Sequence, residues 1–177
     1  MAIVPDTKNW TWVLERPCLD CGFDTENFAV ADAPAALRAN AARWRELLAD
    51  SKVAQRPNDA TWSALEYGCH VRDVFRLFNQ RLARMMDENG PHFANWDQDA
   101  TAIEDRYTEQ DANVVADELA VASEALAVNF ASVTPGDHER TGFRSDGAAF
   151  TVGTFARYLM HDPMHHVWDV EQGYRNS

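Results

Sequence analysis

The chain has 177 residues, 46% of them hydrophobic and 11% aromatic, which suits one globular domain with a sizeable core and not a disordered segment. A formal charge of −12 disfavours contact with phosphate backbones and anionic membrane surfaces, so neither nucleic acid nor membrane is expected as a partner. No apolar run of roughly 18 residues is available to span a bilayer. The N-terminus lacks the basic-then-apolar pattern of a signal peptide, and three cysteines do not make a disulfide framework. A cytoplasmic location is expected.

Residues 1–31 read as an irregular extension pinned to the rest of the chain by Trp10 and Trp12, with a short strand at 10–14. Cys18-Leu-Asp-Cys21 within it has three readings: a structural turn between Pro17 and Gly22, half of a zinc knuckle, or a redox dithiol. No second CxxC completes a four-cysteine site, and Cys69 belongs to an apolar helix face.

Residues 32–177 read as the domain proper. A first helix is expected over 34–49, with Asp32 as N-cap, Pro34 in the first turn and Leu37, Ala41, Trp44 and Leu48 on one face. A loop over 52–61 precedes a second helix, which opens on the capping box Ser63-x-x-Glu66 and ends near Glu88, before Asn89-Gly90-Pro91. Residues 91–108 form a long connection. A third helix follows over 109–133, stopped by Thr134-Pro135-Gly136. Residues 137–150 suit a hairpin or open loop. The fourth helix is capped by Thr151 and runs to about Gln172, with Pro163 expected to bend it. Four long amphipathic helices joined by unequal loops predict an all-α fold, a four-helix bundle, whose metal sites are built from facing helices.

The chemistry concentrates on the fourth helix, which holds His161, His165 and His166, half of the molecule's six histidines. His161 and His165 stand four apart, on one helical face and about one turn from each other, a spacing that lets two imidazoles grip one transition-metal ion. His70, in the middle of the second helix, is the candidate third ligand. Three neutral imidazoles leave open positions on a divalent ion, for a water or for a thiol that the ion deprotonates. Glu66, Asp73 and Asp169 stand at helical distance from these histidines and are candidates to orient them. Each has a plain alternative: the capping box for Glu66, arginine pairs for Asp73 and Asp169. His166 points about 100° away from His165 and reads as a surface or second-layer residue. His92 and His138 fall in polar loops and read as unligated. Trp62, Trp96 and Trp168 either line a pocket or fill the core, and Arg144 and Arg157 are candidates to meet an anionic substrate.

The stretches Trp62-Ser63-Ala-Leu-Glu66-Tyr-Gly-Cys-His70 and His161-Asp-Pro-Met-His165, about 90 residues apart, resemble the W-S-x-x-E-x-x-x-H and H-x-x-x-H motifs of the DinB/YfiT-like superfamily. The resemblance spans about residues 32–172; the extension with its CxxC lies outside the family pattern. It implies a four-helix bundle in which His70, His161 and His165 hold a divalent metal, commonly zinc or nickel. The family includes thiol S-transferases and a thiol-dependent maleylpyruvate isomerase. That isomerase branch has a glutamate ligand where His161 stands here, and a large C-terminal domain with no counterpart here, which argues against isomerase activity. The resemblance therefore implies a metal-dependent thiol S-transferase, in which a metal-held low-molecular-weight thiol loses its proton and attacks an electrophilic small molecule. Three rivals are kept: a metal-bearing bundle that binds a ligand without turnover, as in a stress response; a metal-activated hydrolase; and a dithiol redox protein using Cys18 and Cys21. Pairing through exposed helix faces would give a homodimer.

Overall fold

The computed structural model describes residues 9–175. Four long helices, α1 (Ala33–Leu48), α2 (Ala64–Asp87), α4 (Ala112–Ala131) and α5 (Val152–Arg175), form the bundle, and a short α3 (Gln98–Glu104) lies between α2 and α4. Around the bundle, α4 packs between α1 and α2 on one side and α5 between them on the other. Trp44, Phe75, Leu119, Leu126, Phe155 and Leu159 fill the centre and are almost wholly buried. Each such side chain contributes about 1.5–3 kcal/mol of transfer free energy.

The helix ends follow from local chemistry. At the start of α2, Glu66 N–H donates to Ser63 Oγ at 3.3 Å, while the Glu66 carboxylate accepts from Ser63 N–H at 2.9 Å. At the start of α5, Thr151 Oγ1 accepts from Thr154 N–H at 3.1 Å and Thr154 Oγ1 accepts from Thr151 N–H at 2.9 Å. These reciprocal bonds satisfy backbone donors that no helical carbonyl can reach. Asp32 occupies the N-cap position of α1 but makes no capping bond. Pro163 does not break α5, which runs on as one helix to Arg175. Close to the proline, Asn40 of α1 donates through Nδ2 to the Pro163 carbonyl at 2.9 Å.

The hairpin expected within 137–150 is present as β2 (Thr141–Arg144) and β3 (Ala149–Thr151), antiparallel, with β1 (His92–Phe93) added parallel to β2. Arg140 Nε donates to the Met85 carbonyl at 2.7 Å, tying the hairpin to the end of α2. A Cβ on Gly142 would lie 2.7 Å from the Phe93 ring, so only glycine lets β2 pass there.

Three expectations are corrected. The stretch Trp10–Leu14 is a 3-10 turn and not a strand, because the Asn9 side chain accepts from Thr11 N–H at 3.1 Å and starts a helical turn. The third helix starts at Ala112 and not at residue 109: Asp111 caps it, accepting from Asn113 and Val114 N–H, and Tyr107–Glu109 is a separate 3-10 turn. The connection over 91–108 carries α3.

The N-terminal extension lies along α5. Arg157 Nε donates to the Phe28 carbonyl at 3.2 Å, Thr25 Oγ1 donates to the Val13 carbonyl, and Val13 and Cys18 are each 1% exposed. Residues 1–8 of that extension lie outside the described residues. Among the described residues, no helix is long and apolar enough to cross a membrane.

Candidate metal centre

One turn of α5 carries two i,i+4 pairs of metal-ligating residues, offset by a single position: His161 with His165, and Asp162 with His166. One residue along a helix is a rotation of about 100°, so the two pairs face different neighbours. The first faces the N-terminal extension, where Trp10 packs on both imidazoles with ring centroids 5.5 and 5.2 Å away. The second faces α2 and His70, whose ring lies 5.0 Å from that of His166.

The three histidines singled out by spacing are thereby divided between two groups. In one, ligand atoms of Cys18, Cys21, His161 and His165 lie within 4.8 Å of one another; in the other, those of His70, Asp162 and His166 do. Among the described residues, no group of this kind unites His70 with both His161 and His165.

In the second group His70 is 1% exposed and neither of its ring nitrogens makes a hydrogen bond. Its Nε2 lies 3.5 Å from Asp162 Oδ1, and His166 Nε2 lies 3.8 Å from Asp162 Oδ2. These gaps exceed a hydrogen bond and approach the roughly 3.4 Å that separates two ligands each about 2.0–2.1 Å from a tetrahedral ion. The buried Asp162 Oδ1 likewise has no hydrogen-bond partner. Buried polar atoms without partners are costly, and a cation between His70 Nε2 and Asp162 Oδ1 would relieve those two. Burial alone would push the Asp162 carboxyl up, but His70 and His166 hold it down at about 2, so it is an anion at neutral pH. The rings are held in place: Trp96 stacks on His70 at 5.4 Å and 12°, Trp62 packs at 5.5 Å, and Asp169 Oδ2 meets His166 Nδ1 at 2.9 Å. That last contact is the carboxylate–histidine arrangement that orients ligating imidazoles.

In the first group Cys18 Sγ lies 3.6 Å from His165 Nδ1, and His161 Nε2 is buried without a partner. Burial, with His165 beside it, lowers the His161 pKa to about 4, and burial lowers His165 as well, so both are neutral lone-pair donors at pH 7. Burial above all pushes the Cys21 thiol up to about 11 in the absence of a cation. A bound ion reverses that preference.

Donors of both groups meet Trp10, Gln98 and Tyr158 in one cleft of about 100 Å³. Of the other candidates, Asp169 faces both groups, its second oxygen lying 3.7 Å from His165 Nε2. Glu66 is consumed by the capping box and by Arg56, and Asp73 by Arg72, Arg76 and the Tyr107 hydroxyl. Trp168 packs on His165 at 5.5 Å. His92 is exposed and stacks on Phe143 in the hairpin region, and Arg157 is spent on the Phe28 carbonyl. The sequence reading weighed His166 as a surface or second-layer residue and left Asp162 out, although their i,i+4 spacing carries the same signal as that of His161 and His165.

The clustered His, Cys and Asp side chains form a candidate site for a divalent metal. The fold resembles the solved structure of YfiT from Bacillus subtilis, described as a probable metal-dependent hydrolase with an unusual four-helix bundle topology. The TM-score is 0.67 at 16% sequence identity, covering 97% of this chain and 91% of that one. No curated protein matches the chain. The DinB superfamily profile matches residues 35–170, which contain α2, most of α5 and the whole His70–Asp162–His166 group, and the chain belongs to that superfamily.

Proposed function

We propose that this chain is a divalent-metal-dependent hydrolase of small substrates, with its ion held by His70, Asp162 and His166. The observation that carries the reading is the buried His70 ring, with both nitrogens unpartnered and an anionic carboxylate 3.5 Å away. A two-histidine, one-carboxylate set leaves coordination positions open. An ion held by these residues would supply Lewis acidity and would make a water more acidic. The solved relative described as a probable metal-dependent hydrolase supports the same class.

The protein's own groups orient and enclose the reaction. Asp169 fixes the His166 ring through Nδ1, leaving Nε2 towards Asp162. Trp96 and Trp62 fix His70 and keep bulk water from it. Arg144 donates to the Tyr158 hydroxyl oxygen at 3.2 Å, which leaves the Tyr158 proton to donate to a substrate oxygen in the cleft.

Thiol S-transfer is the second reading, and the cleft volume favours hydrolysis over it. A transferase must seat a thiol and an electrophile together, whereas about 100 Å³ is well below the roughly 300–1,000 Å³ of a pocket for a drug-sized ligand. Water and one small ester or amide suit the space better. The choice is tested with zinc- or nickel-loaded protein on a panel of small esters and amides, with and without added low-molecular-weight thiol, beside His166→Ala. Turnover without thiol, lost in the variant, is expected. Turnover only with thiol would establish the transferase reading instead, and turnover unchanged in His166→Ala would remove this site from the chemistry.

A further inference from the structure

We propose that Cys18, Cys21, His161 and His165 form a second metal site, a closed four-ligand zinc centre that staples the N-terminal extension to α5. It is separate from the open group around His70 and shares none of its donors.

The donor set is the first argument. Cys-x2-Cys with His-x3-His is the ligand spacing of Cys2His2 zinc centres, here split between two ends of the chain. Thiolate and imidazole together favour zinc over magnesium, calcium or manganese. All four donor atoms lie within 4.8 Å of one another. Cys18 Sγ and His165 Nδ1 lie 3.6 Å apart, within reach of a thiol–imidazole hydrogen bond when no ion is bound. That distance also equals the separation of about 3.6 Å expected for ligands on a tetrahedral zinc with Zn–S near 2.3 Å and Zn–N near 2.05 Å.

Burial is the second argument. Cys18, His161 and His165 are 1%, 4% and 7% exposed, and His161 Nε2 has no hydrogen-bond partner. A buried polar atom without a partner is destabilising unless something absent from the chain satisfies it. An ion at the centre of the four donors does so and also accounts for a buried thiol beside a half-buried one.

The backbone is the third. Cys18 N–H donates to the Phe23 carbonyl and Gly22 N–H to the Cys18 carbonyl, each at 2.9 Å, and Gly22 takes φ +74°. This turn holds both sulfurs on one side before any ion arrives, and the left-handed φ makes glycine the residue that fits after the second cysteine. Asp169 stands 3.7 Å from His165 Nε2, on the ring edge opposite the sulfur, an electrostatic contact longer than a hydrogen bond. With four protein donors the tetrahedron is filled, so the role is structural: the ion joins residues 18–21 to α5 where the hydrogen bonds between them are few.

The test uses untagged full-length protein loaded with cobalt(II). Sulfur-to-cobalt charge-transfer absorption and the intense visible bands of a tetrahedral centre are expected in wild type. Cys21→Ser should weaken them and Cys21→His should keep the tetrahedral bands, which separates loss of a ligand from loss of folding. Zinc-loaded wild type should hold about two equivalents per chain and His166→Ala about one, with Cys18 and Cys21 unreactive to a thiol reagent until chelator is added. Absence of thiolate bands in folded wild type, or recovery of Cys18 and Cys21 as a disulfide in the presence of excess zinc, would overturn this proposal. Metal loss in His166→Ala would still support the open site. Thiolate bands with a metal content unchanged by His166→Ala would sink the open site and leave this one standing.

Discussion

The two donor groups on α5 are built from the same helical turn and differ in what completes them. The inner pair, Asp162 and His166, is completed by one histidine from α2, giving three donors, of which Asp162 and His166 line the cleft. The outer pair, His161 and His165, is completed by two cysteines from the extension, giving four. On the proposed assignments donor number separates the roles, because three ligands leave an ion room for chemistry and four do not. The location agrees: the inner group sits between helices whose positions the core fixes, and the outer group sits where a chain segment has to be attached.

The largest expected effect falls on the inner group alone. His70→Ala should lower hydrolytic kcat/KM by about 1,000-fold, some 4 kcal/mol of barrier, while the cobalt–thiolate bands of the outer group persist. Loss of those bands as well would break the division between the groups.

Next comes removal of the outer ion. A chelator that strips it should cost about 3 kcal/mol of stability, the linkage expected when free zinc was near 100 times its dissociation constant. Limited proteolysis should then cut within residues 9–32 while α1, α2, α4 and α5 stay protected. Uniform destabilisation with no new cleavage would argue against a staple.

Asp169→Asn sharpens the comparison from the residue the groups share. It faces His166 Nδ1 at 2.9 Å and His165 Nε2 at 3.7 Å. Metal affinity should fall about 10–100-fold at the inner group, and by less at the outer one, read by competition with a chelating dye. An equal fall at both would show that the longer contact orients its ring as firmly as the shorter.

The smallest effect serves as the control. Glu66 lies in α2 but touches neither group; it accepts from Arg56 and from the Ser63 N–H and hydroxyl. Burial alone would raise its carboxyl pKa, but these donors lower it on balance. A folded pKa below the unfolded value of about 4.3 contributes stability above that value, and the contribution is lost as pH falls through the folded one. Glu66→Gln should therefore cost about 2 kcal/mol near neutrality, with metal content unchanged. The gap from wild type in chemical denaturation should close as pH drops below about 4.

The helices were legible because their signals are local: the Ser63–Glu66 box, the threonine at residue 151 and the apolar period of α1 and α2 all appear where the sequence places them. The helix α3 was not, since none of its residues is buried and no apolar period announces it. The turn at Trp10–Leu14 depends on a bond to the Asn9 side chain, which alternation of aromatic residues does not report. At the site, spacing correctly put His161 and His165 on one face, their rings 5.1 Å apart. Which of two adjacent pairs looks towards α2 is a matter of how α5 is rotated in the bundle, and spacing is blind to that. The cysteines stayed open between a turn, half a zinc knuckle and a redox dithiol because His161 and His165, which lie beside them, are most of a chain length away in sequence, and only the fold brings the two ends together.

That rotation returns attention to Asn40. Its bond to the Pro163 carbonyl falls between the two pairs, from a helix that contributes no donor to either. Turning α5 by the angle of one residue would point the outer pair where the inner one now looks. Asn40 therefore acts with the buried apolar face of α5 as a key in a slot, holding the helix at the phase that decides which side chains face the interior.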